Sequence, residues 1–238
     1  MENHDHEIVT AQITAQKNPV LPPESLPRDR SSAFKVFAAH PSPQLIALAL
    51  GAAIIVRAVI APFSWVDAVV AFAVWAYFPV NEWVIHVFML HYTPRTLFGH
   101  TLDFHLPKTH RWHHAEPWKL EWVFIPRHIH LLVFPAVAAV VMLAGVWRGP
   151  MLSGVTIYLL LGLHYEWVHY LAHIHWCPDN AYYRRRVQEH RWHHFRNENY
   201  WWGVSMGLGD RLFKTAPSVG DVGRTGTTGT LRGNGRTL

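Results

Sequence analysis

Cysteine is almost absent. The 238-residue chain carries one, Cys177, which excludes an intramolecular disulfide and any Cys-rich zinc or iron–sulfur site. Charge is also sparse: Asp, Glu, Lys and Arg make up 16% of the residues, against about 25% in a soluble domain. That shortage favours a membrane protein. No basic segment leads into an apolar core at the N-terminus, so no cleaved signal peptide is expected. The formal net charge is +5, yet the basic residues form no isolated stripe of the kind that binds nucleic acid. Positive charge distributed by membrane topology explains it better, and no nucleic-acid partner is expected.

What is abundant is apolar surface, tryptophan and histidine: 50% hydrophobic residues, 12 Trp and 19 His. Four apolar runs, at about 43–63, 65–90, 129–147 and 151–173, approach the roughly 20 residues that cross a bilayer as a helix. Arg57 interrupts the first, and His, Glu and Asn enter the ends of the second and fourth. The rival reading, a soluble bundle of unusually apolar helices, fits the low charge less well. Short connections around Ala61–Ser64 and Arg148–Pro150 pair the runs into two hairpins. Both termini and the central segment then share one side. Outside the runs, Arg148 is the only Lys or Arg in a hairpin loop, so that shared side is expected to be cytoplasmic. Trp65, Trp147 and Trp176 stand where interfacial belt residues belong. The expected fold is all-α, with four transmembrane helices in two hairpins and a cytosolic helical cap. Residues 1–40, polar and Pro-rich with His4 and His6, read as a mobile tail. Residues 41–216 read as the membrane-embedded domain, and the Gly/Thr/Arg-rich 217–238 as a second tail.

The pentapeptide His-Arg-Trp-His-His occurs twice, at His110–His114 and His190–His194. Imidazoles at i, i+3 and i+4 share one helical face, and neutral imidazole is the commonest metal ligand. The boxes are 80 residues apart, and Glu82-Trp83-Val84 recurs 84 residues on as Glu166-Trp167-Val168. Each half therefore reads as an apolar hairpin, Glu-Trp-Val, a His pair, a linker and a His triplet. The second pair, His169 and His173, lies on one helical face. The first, His86 and His91, diverges by about 140° on a straight helix. That pair serves two metals, or one if the helix loosens as it leaves the membrane. With His110, His113, His114, His190, His193 and His194, ten imidazoles suit two metal ions of five nitrogens each, with a position open on each. Such a set is excessive for structural zinc and suggests oxygen activation by iron.

Other groups are more ambiguous. Glu166 and His169 have the Glu-x-x-His spacing of soluble di-iron bundles, which would make Glu166 a ligand. Alternatively Glu82 and Glu166 accept hydrogen bonds from ligand imidazoles and orient them. His105, near the first box, and His164, inside the fourth run, are further candidates for such supporting roles. His40, His100, His128, His130 and His175 read as loop or interface residues. Arg184–Arg186 suit lipid head groups or simple topological charge. No catalytic residue beyond the ligands can be named.

This pattern resembles the fatty acid hydroxylase / sterol desaturase superfamily of membrane histidine-box enzymes over roughly residues 47–216. The carriers are His86–His91, His110-Arg-Trp-His-His114, Tyr165-Glu-Trp-Val-His169-Tyr-Leu-Ala-His173 and His190-Arg-Trp-His-His194. Gly203-Val-Ser and Gly209-Asp-Arg-Leu-Phe-Lys-Thr look like the segment that closes the domain in fatty acid and sphingolipid 2-hydroxylases. In sphingolipid-type relatives the third box tends to end in adjacent histidines, whereas here Ile174 separates His173 from His175. The resemblance implies two iron ions, with zinc able to replace them in a purified sample. It also implies O₂ as co-substrate and hydroxylation or desaturation of a membrane lipid or acyl chain. Carotenoid or sterol-type hydroxylation belongs to the same superfamily. Electrons must come from a separate donor, a small haem carrier or a ferredoxin with its reductase, because the first 40 residues are too short for a fused haem domain. From other classes, a membrane metal transporter or metal-binding protein would need ligands along a transmembrane path, and a haem protein would need facing axial His pairs.

Overall fold

The structure, a computed structural model, describes residues 23–225. Four long helical segments are apolar enough to cross a membrane: Pro41–Ile60, Trp65–Leu90, Leu120–Leu143 and Gly145–Ala172. The first is helix α2 (Pro41–Ile60), which starts at a proline that needs no helical N–H donor. The second is α3 (Trp65–Val84), continued by a π-helical turn over Ile85–Leu90. The third joins the short α5 (Leu120–Val123) to α6 (Arg127–Leu143). The fourth is α7 (Arg148–Ala172). Leu48, Ile55, Val59, Phe72, Leu132 and Leu143 on these segments are exposed, as side chains that face hydrocarbon must be.

Both short connections reverse the chain as expected, but the first two spans pack mainly on α7 rather than on each other, and the second turn lies earlier in the chain. Ala144–Trp147 makes the reversal, with Gly145 in the left-handed region at φ +58°. Arg148–Pro150 is the first turn of α7, where proline removes no intrahelical bond. At this end of the bundle Trp65 and Trp147 are exposed. Here too lies the resolution of Arg57. Its guanidinium donates to Asp67 Oδ1 from Nε at 2.8 Å and from Nη2 at 2.6 Å, and to the Ala61 carbonyl at 2.8 Å. Ser153 of α7 adds a bond to Asp67 Oδ1 at 2.6 Å. One buried ion pair thus ties α2, α3 and α7 together. A turn further along, a Cβ on Gly154 would lie 3.0 Å from Val70 Cγ1, so α3 and α7 close against a missing side chain.

The other end carries a cap made of α1 (Arg30–Ala39), the hairpin β1 (Arg95–Leu97) and β2 (His100–Leu102), α4 (His105–Ala115), α8 (Ala181–Phe195) and α9 (Leu208–Leu212). The strands pair antiparallel, Thr96 opposite Thr101. The segment 30–39, expected to belong to a mobile tail, is helical. Asp29 caps it by accepting from the Ser31 and Ser32 amides at 2.8 and 3.0 Å. Ala33 and Phe37 bury against the end of α7, Phe37 edge-on to Trp167 at 4.9 Å. The surrounding polar and proline-rich composition masked this short apolar stripe. Residues 217–225 were likewise expected to be disordered. They lie along the end of α8, where Arg196 Nε bonds the Val222 carbonyl at 2.7 Å and the Thr225 amide bonds the Arg196 carbonyl at 3.2 Å. Trp176, expected at the membrane interface, packs on the cap's core. Residues 1–22, with His4 and His6, and 226–238 lie outside the described residues.

Replacing Arg57 with Met leaves Asp67 buried without its partner, and breaking such a pair costs about 3–5 kcal/mol. The thermal midpoint in detergent should fall sharply in Arg57→Met and recover in part when Asp67→Asn is added. An unchanged midpoint in the single variant would remove the pair from the account of the bundle.

Candidate metal centre

The site forms where α3 and α7 leave the bundle on the side of the cap. The His86–His91 spacing was the obstacle to a shared site on a straight helix. The π-helical turn removes it: the His91 amide bonds the His86 carbonyl, five residues back, at 3.1 Å. The widened turn brings the two rings to 5.1 Å between centroids. On α7, His169 lies in the last turn and His173 is the C-terminal cap, with ring centroids 5.0 Å apart. The triplets come from the ends of α4 and α8, whose histidine faces turn inward.

The ten imidazoles assemble into two groups of five. One holds His86, His91, His110, His114 and His193; the other holds His113, His169, His173, His190 and His194. Within each group the candidate ligand atoms all lie within 4.8 Å of one another, and all ten residues are buried. The closest approaches are between Nε2 atoms. In the first group His86 meets His110 at 3.2 Å, and His193 meets both His91 and His114 at 3.2 Å. In the second, His169 meets His113 at 3.1 Å, and His190 meets His173 at 3.1 Å and His194 at 3.0 Å. The groups interlock. Each pentapeptide gives its first and last histidines to one group and its middle histidine to the other, so His113 and His193 are exchanged. Exchanging the two halves of the internal repeat carries one group onto the other.

Burial, followed by neighbouring imidazoles, pushes His110, His113, His114 and His190 well below the ordinary histidine range. The same causes act on His173 and His194. These side chains are held in the neutral form, and in His86 and His193 the Nδ1–H bonds to carbonyls leave the Nε2 lone pairs aimed at other imidazoles. Ten buried imidazoles with converging Nε2 atoms are the donor set of a metal site, so the residues fit metal ions. A set of neutral nitrogens suits a first-row transition metal and does not suit calcium or magnesium, which take oxygen ligands.

Around this layer the structure differs from the expectation for the two glutamates. Neither touches a ligand imidazole. Glu82 accepts from the backbone amides of Val204 and Ser205 (2.6 Å for Ser205) and from Ser205 Oγ at 2.8 Å. Glu166 Oε1 accepts from the Ile125 amide and from Ser42 Oγ, both at 2.9 Å, and Ser42 Oγ also meets His130 Nε2 at 2.7 Å. Nor does either carboxylate belong to a group of five. Backbone amides buried beside the spans are the stronger claim on these acceptors. Orientation is done by backbone carbonyls instead. His86 Nδ1 donates to the Trp202 carbonyl at 2.6 Å and His193 Nδ1 to the Tyr200 carbonyl at 2.8 Å. Between them Trp201 adopts φ +56°, a left-handed conformation that aims both flanking carbonyls at the site. Glu82 holds this loop from one side. Asp210 holds it from the other, accepting from the Trp202 and Gly203 amides at 2.9 and 2.7 Å. A Cβ on Gly203 would lie 2.9 Å from Asp210 Oδ2 and 2.4 Å from the Met206 carbonyl, which is why glycine stands there.

Comparison with known sequences decides the family. The profile described as fatty acid hydroxylase matches residues 68–215, a range that contains all ten histidines. The chain belongs to the fatty acid hydroxylase family. A dihydroceramide fatty acyl 2-hydroxylase of Arabidopsis thaliana is 28% identical over 159 residues, which is 66% of this chain and 64% of that protein. A second Arabidopsis thaliana protein of the same description is 28% identical over 153 residues, 61% of this chain and 58% of its own length. The chain thus spans about three fifths of the length of these curated relatives. No solved structure matches.

Within this fatty acid hydroxylase fold the remaining candidates fall outside both groups. His105 is exposed at the start of α4, its ring 4.6 Å from that of His128. His164 meets the Tyr182 hydroxyl at 2.5 Å, and that hydroxyl donates to the Ser205 carbonyl at 2.7 Å. Arg184 pairs with Asp179, while Arg185 and Arg186 both pair with Glu189. The carbonyls of Tyr200 and Trp202, and Asp210 behind them, were not identified from sequence. Gly203-Val-Ser and Gly209-Asp were the available signal, since glycines and a buried acid mark a close-packed loop.

Two outcomes follow. Deleting Met89 should return the π turn to an α-helix and swing His91 by about 100°. Metal binding by the first group should then weaken while the second group keeps its metal, as read by metal content per chain. The pH dependence has a definite sign. The six depressed histidines take up protons in the unfolded chain below about pH 6.5 and resist them in the folded metal-free chain. Their contribution to stability is therefore present above about pH 6.5 and lost as pH falls, by up to about 1.4 kcal/mol per pH unit for each histidine. Unfolding of metal-stripped protein across that range should show the loss, and a flat profile would contradict the neutral assignment.

Proposed function

We propose that the protein is an O₂-dependent di-iron hydroxylase that inserts oxygen into a C–H bond of a membrane lipid or its acyl chain. The observation that carries this reading is the pair of five-imidazole groups at one end of four apolar helices, in a chain of the fatty acid hydroxylase family. His86, His91, His110, His114 and His193 would hold one iron; His113, His169, His173, His190 and His194 would hold the other. Bound iron supplies the redox chemistry that activates O₂, which side chains alone lack. The balance for one turnover is a C–H bond, O₂, two electrons and two protons, giving an alcohol and water. The electrons come from a separate one-electron carrier, a small haem protein or a ferredoxin with its reductase.

The protein's own groups do the positioning. The apolar spans admit the lipid tail from the bilayer, and the cap over the histidines keeps bulk water from the reacting carbon. The Tyr200 and Trp202 carbonyls fix the direction of His193 and His86, as outer partners of metal-bound imidazoles do. The description of the two Arabidopsis relatives favours an acyl chain attached to a sphingoid base as substrate. Residues 41–216 form the catalytic unit, with the site and both termini facing the cytoplasm. A membrane metal transporter is disfavoured because the histidine groups sit at one end of the bundle and form no path across it.

The test is metal content together with product. Protein purified from iron-supplemented cells should carry two irons per chain and, given reductant and O₂, should add one oxygen atom to a lipid detected by mass spectrometry. His110→Ala and His193→Ala should each lower iron content and reduce turnover by roughly 100-fold or more, in line with losses seen around metal sites. Unchanged metal content in both variants, or product formed without O₂ or reductant, would sink the proposal.

A further inference from the structure

The repeated pentapeptide contains an arginine that the ten-histidine set does not use. We infer that Arg111 and Arg191 are positioning residues, each of which locks a histidine pair to the outer histidines of its own triplet. The inference rests on the metal-centre reading above and extends it to two residues outside the ligand set.

The second histidine of each pair sits where its span ends: His91 caps the π turn and His173 caps α7. A helix end leaves carbonyls with no intrahelical donor. Arg191 supplies donors on both sides of His173. Its Nε bonds the Ala172 carbonyl at 2.9 Å and its Nη2 bonds the Ile174 carbonyl at 2.7 Å. Arg111 does the equivalent beyond His91. Its Nη1 bonds the Tyr92 carbonyl at 3.2 Å, and its Nη2 bonds both oxygens of Asp103 at 2.5 and 2.6 Å. Asp103 follows β2, so Arg111 clamps the chain where it leaves the span and where it returns to α4.

Each guanidinium follows the first histidine of its triplet by one residue. Arg111 shares α4 with His110 and His114, which join His91 in the first group. Arg191 shares α8 with His190 and His194, which join His173 in the second. Each arginine therefore spans the two elements that contribute four of the five imidazoles to one group. Its action on the other group is limited to the single exchanged histidine. A positive charge at a helix C-terminus is also favourable, but any cation would supply that. Bridging two acceptors in fixed directions needs the planar fork of arginine, which lysine lacks.

The test uses the full-length, detergent-solubilised protein and reads metal per chain after loading with iron, with Arg185→Lys as the control on the same helix. Arg191→Lys should keep the wild-type elution profile yet hold one metal, releasing the other roughly 10- to 100-fold faster. Adding His169→Ala to it should remove no further metal, whereas adding His86→Ala should empty the chain. Arg111→Lys should give the mirror result, insensitive to His86→Ala and emptied by His169→Ala. Two metals retained in both arginine variants overturns the inference, and so does equal loss from both groups with a lowered thermal midpoint, which is what a general packing role would give. A wild-type chain that holds no pair of metals overturns the functional reading itself, and the two failures are told apart by that wild-type measurement.

Discussion

Ten buried imidazoles converge through their Nε2 atoms, and that is the constraint on which the rest of the structure depends. Nε2 atoms 3.0–3.2 Å apart form the nitrogen donor set that a transition-metal ion takes. The elements that bring them together are otherwise poorly suited to each other. One span changes helix type near its end, and a loop is forced through a left-handed tryptophan. Each irregularity places an imidazole or aims the carbonyl behind it. In a chain with so few charged residues, several of the buried ones serve two places, apart from the Arg186–Glu189 pair on α8 and Glu198. Arg57 and Asp67 close the hairpin end, while Glu82, Glu166 and Asp210 secure the backbone beside the histidines.

The two halves of the centre are built alike. Glu82 grips the amides of Val204 and Ser205, and Glu166 grips the amide of Ile125, each from the helix that also carries a histidine pair. The arginine of each pentapeptide grips the chain leaving the corresponding span. The likeness is not perfect, and the π turn is where it departs. The first pair is spaced by five residues and the second by four. The extra residue is accommodated as a bulge inside an otherwise helical span, a known device for redirecting side chains at functional sites.

Much of this was legible in the chain. Hydropathy and the short polar breaks located four spans, and the repeat of His-Arg-Trp-His-His named the histidines that converge. What stayed hidden depends on contacts distant in sequence. The grouping of His113 with His190, or of His193 with His91, cannot be read from spacing, because it depends on how α4 and α8 cross. The glutamates were misjudged because an acidic residue one turn from a histidine looks like its partner, while the amides that claim it lie more than a hundred residues away for Glu82. Helix α1 was missed because Ala33 and Phe37 are a small apolar stripe within a polar stretch.

The exchange of His113 and His193 between the two groups bears on the order of events during synthesis. Neither half of the chain can complete a five-nitrogen site alone. The group that begins with His86 waits for His193, and the group that ends with His194 needs His113 from the earlier box. As the chain leaves the ribosome, the first eleven-twelfths of the histidine-bearing region, His86 to about residue 185, holds no more than four of the five histidines of either group. Both groups reach their full set of imidazoles only when the last box is made. A complete set of five imidazoles thus reports on completion of the whole fold.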